Sequence, residues 1–119
     1  MISIVLCKRL RHNSSHVNGE EGNGMSRIIF VEYRIDPNKR EAYELAIDRL
    51  LRTRANCILY EGSDQPNVFV EQYFETTPEQ YAHMKQQRLE QESEWDEITA
   101  CIPGGRSKLH IWEFVEKVK

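Results

Sequence analysis

The sequence predicts an α+β fold: one four-stranded antiparallel sheet with two helices on a single face, in the order βαββαβ. Three observations carry this. Four runs are rich in β-branched and aromatic residues, two runs place apolar residues at three- and four-residue spacing, and both helical runs open with a capping residue followed by Pro. With 119 residues there is room for one domain and one core.

The first strand is read at residues 27–36, RIIFVEYRID, closed by Asp36-Pro37. Ile29, Val31, Tyr33 and Ile35 form one apolar face, while Ile28 and Phe30 put bulk on the other before Glu32 and Arg34 turn it polar. Asp36 and Pro37 then start a helix running to about Arg54, whose inner stripe is Tyr43, Ala46, Ile47, Leu50 and Leu51. Its charges, Glu41, Glu44 and Asp48 against Arg40, Arg49 and Arg52, read as a solvated outer surface. A short second strand covers residues 57–61, and Gly62, Ser63, Asp64, Gln65 and Pro66 make a hairpin-like connection.

The third strand spans residues 67–74, with Val68, Val70, Gln72 and Phe74 on one side and Phe69, Glu71 and Tyr73 on the other. Neither side is clearly the wet one. Thr77, Pro78 and Glu79 open the second helix, whose buried stripe passes through Tyr81, Met84, Trp95, Ile98 and Ile102. Arg88 and then Gln91 or Glu92 interrupt that stripe, so a bend, a gap or a polar pocket is expected there. Pro103, Gly104 and Gly105 end the helix. The fourth strand is expected over residues 108–118, with Leu109, Ile111, Glu113 and Val115 against His110, Trp112 and Phe114.

This order is the split βαβ, or ferredoxin-like, pattern. Helices on one side cover only one sheet face. Bulk on both faces therefore predicts that a second copy covers the other, giving a homodimer through the sheet.

Composition excludes several classes. A net charge of −3 does not steer toward nucleic acid, and no apolar run approaches the roughly 20 residues of a membrane-spanning helix. Cys7, Cys57 and Cys101 are odd in number and widely spaced, which fits a reducing cytoplasm. No set of residues has metal-ligand spacing, and no Gly-rich loop precedes a helix to cradle phosphate. Residues 1–24 differ from the rest: a six-residue apolar run precedes a basic cluster, a poor match to a secretory signal. They read as a flexible or non-native N-terminal extension. The purine-rich codons of Glu20-Glu21-Gly22 fit a translated ribosome-binding site with Met25 as the start, so the domain is taken as 25–119.

The run Val68-Phe69-Val70-Glu71-Gln72-Tyr73, followed in the next helix by Ala82-His83-Met84, resembles the signature of antibiotic biosynthesis monooxygenase domains. There a strand ending in Glu-x-Trp precedes a helix bearing Ala-His-Leu. The resemblance implies a dimeric α/β barrel with a pocket between sheet and helices. It also implies oxidation of a small aromatic or quinol-like compound by molecular oxygen, with no cofactor. Another branch of the family degrades haem using Asn, Trp and His. Tyr73 stands at the usual Trp position and the first strand has no Asn, which leaves haem binding or degradation a minor alternative. The other reading is a non-catalytic dimer that binds a small apolar ligand or a partner protein.

Seven residues are the site candidates. The His83 imidazole can exchange a proton with a phenolic substrate near neutral pH. Glu71, on the same face as Phe69 and Tyr73, can orient a histidine, bind a substrate hydroxyl or join a cross-strand ion pair. Tyr33, Tyr73, Trp95 and Trp112 either line an aromatic pocket or are plain core. Arg88 either holds an anionic ligand or pairs with Glu92.

Overall fold

The structure, a computed structural model, describes residues 26–117. The expectations for residues 1–24 and for Val118 lie outside it.

Strand β1 (Arg27–Arg34) leads through a 3-10 turn, Pro37–Lys39, into helix α1 (Arg40–Leu51). Asp36 caps that turn by accepting from the Asn38 amide at 2.9 Å. Strands β2 (Cys57–Glu61) and β3 (Val68–Tyr73) follow as a hairpin, then helix α2 (Pro78–Lys85). A short helix α3 (Asp96–Thr99) and a 3-10 turn (Gly105–Lys108) precede strand β4 (His110–Val115). All strand pairs are antiparallel, in the order β2-β3-β1-β4, and the architecture is compatible with the ferredoxin-like pattern.

Strand alternation divides the sheet into two unlike faces. In register, Ile29 lies opposite Tyr73, Val31 opposite Glu71 and Ile111, and Tyr33 opposite Phe69. This inner face is buried. It packs against Tyr43, Ala46, Ile47, Leu50 and Leu51 of α1 and against Trp95, Ile98, Cys101 and Ile102. On the outer face Phe30 pairs with Gln72 and Trp112, Ile28 with Phe114, and Tyr60 with Val70. Trp112, Phe114 and Tyr60 remain between 43% and 48% exposed there. Among the described residues no helix is long and apolar enough to cross a membrane.

Three local expectations are corrected. Arg40 is not merely a solvated helix charge. Its guanidinium grips both Glu61 oxygens at 2.6 and 2.9 Å, donates to Asn67 Oδ1 at 3.0 Å and lies over the Phe69 ring. Asn67 has a positive φ of 73°, which Asn tolerates better than most residues, and its amide donates to Glu61. The hairpin is thereby tied to the start of α1.

The fourth strand begins later than expected. Lys108 belongs to a 3-10 turn that follows Gly104, whose φ of 92° suits glycine, and pairing starts at His110.

The second helix is interrupted. A capping box between Thr77 and Gln80 fixes the start of α2, and Gln86–Glu90 then form a π turn closed by the Gln91 amide donating to the Gln86 carbonyl. Ser93 restarts the chain. Its hydroxyl donates to the Gln87 carbonyl and accepts from the Trp95 amide. The bend expected from the polar break in the stripe is present, and it centres on Arg88.

Candidate functional site

The inward pleat of β3 sends Glu71 into the core between Phe69 and Tyr73, where an unpaired carboxylate would be prohibitively costly. Arg88 reaches it from the π turn. Nη1 donates to Oε1 at 2.8 Å and Nη2 to Oε2 at 2.9 Å, and both side chains have zero exposure. Tyr33 Oη donates to Oε2 and Tyr73 Oη to Oε1, each at 2.6 Å. The carboxylate thus accepts four charge-assisted hydrogen bonds. Because the Tyr33 proton is committed to Glu71, Tyr43 is the donor in the 2.8 Å Tyr33–Tyr43 contact. The Arg88 guanidinium also sits 3.8 Å from the Trp95 ring centroid. Its Nε is buried without a hydrogen-bond partner, the one unmatched polar atom of the network.

These contacts decide the protonation states. Burial alone pushes the Glu71 carboxyl up, but the Arg88 charge and the Arg88, Tyr33 and Tyr73 hydrogen bonds outweigh it and hold the group below its ordinary range. Glu71 stays ionised. Burial also disfavours charge on Arg88, yet Glu71 raises its pKa above the ordinary guanidinium value. Tyr33, Tyr43 and Tyr73 are all raised, first by burial and then by the adjacent Glu71 charge.

Beside this network lies a cleft of about 330 Å³. Tyr73 and Trp95 form part of its wall with Met84; Arg54, Asn56, Thr76, Gln80, His83 and Gln87 complete the lining. His83 is in the last turn of α2 and exposed. Several polar groups are already committed: Asn56 Nδ2 donates to the Phe74 carbonyl, Thr76 Oγ1 to the Arg27 carbonyl, and Gln80 serves the helix cap. A second cleft of about 400 Å³, at Glu32, Arg34, Lys108 and His110, mixes charges of both signs and contains none of the candidates except Tyr33.

The structure therefore brings most of the seven candidates together, but in two settings. Tyr33, Glu71, Tyr73, Arg88 and Trp95 form one buried cluster, and His83 stands at the cleft that Tyr73 and Trp95 border. Glu71 meets Arg88 rather than His83. Arg88, buried on the inner stripe, pairs with Glu71 rather than with Glu92. Trp112 lies apart from them: it stacks on His110 on the outer sheet face and lines neither of these two clefts. Arg54, Asn56 and Gln87 escaped the sequence reading. Arg54 follows the end of α1, where periodicity no longer assigns a face. Among the described residues no group of three His, Cys, Asp or Glu side chains is placed to hold a metal ion.

The shifted groups set a pH dependence. Glu71 is depressed in the folded state, so its stabilisation is complete above the unfolded carboxylate value of about 4.3 and is lost as pH falls through the lower folded value. The tyrosines are raised, so theirs is complete below about 10 and is lost as pH rises through the higher folded values. Urea midpoints should stay flat through neutrality and fall steeply at alkaline pH. Tyrosinate absorbance from the three buried phenols should grow together with unfolding, and ionisation of all three in a still-folded chain would contradict the network. Compared with models of known protein families and with curated proteins, the chain matches neither.

Proposed function

We propose that this chain is a cofactor-independent monooxygenase of a dimeric, ferredoxin-like α/β barrel, acting on a small aromatic or quinol-like substrate in the cleft beside His83. One observation carries this reading: a histidine stands exposed at an open cleft with an aromatic and thioether wall of Tyr73, Trp95 and Met84. His83 takes the proton of a substrate hydroxyl, and the electron-rich anion then reduces molecular oxygen. A ring methylene becomes a carbonyl with one oxygen atom, the other leaves as water, and the four electrons come from the substrate. Glu71 and Arg88 act only through position, holding Tyr73 and Trp95 at the wall.

The dimer is proposed on the outer sheet face. Trp112, Phe114 and Tyr60, with the half-buried Phe30 and Val70, are the apolar part of that face, with Gln72 and Glu32 set among them on the strand register. Fully burying an exposed large side chain contributes about 1.5–3 kcal/mol, and these, already more than half covered, gain roughly half of that. The buried thiols of Cys57 and Cys101 are in keeping with a cytoplasmic setting. A second reading, a non-catalytic binder of small ligands, is favoured by the way Glu71 and Arg88 are buried and committed to the inner network. It predicts ligand-dependent thermal stabilisation without turnover.

Oxygen uptake with a quinol or anthrone panel should fall about a hundredfold or more in His83→Ala, the scale of a lost general base. Equal rates in both proteins would remove His83 from the chemistry, and no uptake with bound substrate would favour the binder. Sedimentation should give a dimer for the parent chain and a monomer for Trp112→Glu; a folded parent monomer at working concentration counts against the barrel.

A further inference from the structure

We propose that the cleft beside His83 selects an anionic aromatic ligand, with Arg54 holding its negative group in the place now taken by Glu94. This rests on reading that cleft as the ligand site. Among the described residues no Asp or Glu lines the cleft, whereas Arg54 brings a guanidinium to it and His83 an imidazole. The Arg54 guanidinium lies 5.0 Å from the Trp95 ring centroid, so charge and aromatic surface are adjacent.

Two hydrogen bonds of Arg54 differ in kind. Nη1 donates to the Leu50 carbonyl and anchors the head to the end of α1. Nη2 donates to Glu94 at 3.0 Å, and the Glu94 side chain is 53% exposed. An ion pair so hydrated contributes little, and its carboxylate returns to water at small cost. Glu94 also belongs to the irregular stretch between the π turn and α3, so no helix holds it in place. A ligand carboxylate bound against Trp95 is better placed to keep the planar guanidinium fork. The cleft volume is at the small end of ligand pockets, which suits a compound of one or two rings.

Calorimetric titration of the full chain with 1-hydroxy-2-naphthoate and with 1-naphthol separates the outcomes. The naphthoate should bind about tenfold more tightly, the scale of one charge-assisted hydrogen bond. Glu94→Gln, an exposed substitution, should tighten the naphthoate about threefold and leave the naphthol unchanged. Arg54→Gln should abolish the preference, and Arg54→Lys should keep part of it if folding is intact. Equal affinities for the two probes, or naphthoate binding indifferent to Glu94→Gln, overturns the anion assignment while the cleft remains a ligand site. Failure of both probes to bind overturns that site and this inference together.

Discussion

A carboxylate and a guanidinium buried without solvent are tolerable only as partners, and Glu71 and Arg88 organise the inner half of the molecule around that constraint. The carboxylate has no lone pair to spare once Arg88, Tyr33 and Tyr73 have donated to it. Tyr43 extends the cluster into α1 through Tyr33. Strand, helix and π turn are thus joined by polar contacts whose geometry is narrower than that of packed hydrocarbon. Such a pair adds little net stability over an apolar substitute of the same shape, but losing one member leaves a charge stranded in the core.

The same pairing explains the unusual course of the chain after α2. A regular helix continuing from Lys85 would follow the apolar stripe, which requires a hydrophobic residue where Arg88 stands. The chain instead widens to a π turn that keeps Arg88 buried, with Gln87 and His83 at the cleft. Trp95 then returns to cover the guanidinium, and Arg54 lies against the same ring from the end of α1. The cleft wall is therefore a by-product of how the buried charge is housed.

Much of this was legible in the sequence, for physical reasons. Two-residue alternation assigned Ile29, Val31 and Tyr33 to the inner face, helical spacing assigned Tyr43 to Leu51 to the core, and Thr77 with Pro78 marked a helix start. Arg88 was legible as an anomaly in its stripe, and Glu71 as a carboxylate among aromatics. Their union was not, because they stand seventeen positions apart with α2 between them, though two opposite charges both bound for the core would have been reason to join them. The alternation of β4 also contained the answer for Trp112, since it sets that side chain with His110 and Phe114 and against Leu109 and Ile111. Arg54 gave no such signal. In the sequence it marks only the end of the first helix, which in the structure stops at Leu51, and only folding brings it to Trp95.

The cleft chemistry and the packing of the core thus share Tyr73 and Trp95, so an error about the clamp would propagate to both. The direct test is a double-mutant cycle of Glu71→Gln, Arg88→Met and their combination, followed by urea unfolding. Coupling between the two positions should be about 2–3 kcal/mol, with the double variant more stable than the Glu71→Gln protein alone. Independent, additive losses within about 0.5 kcal/mol would mean that the two groups do not depend on each other in the folded chain.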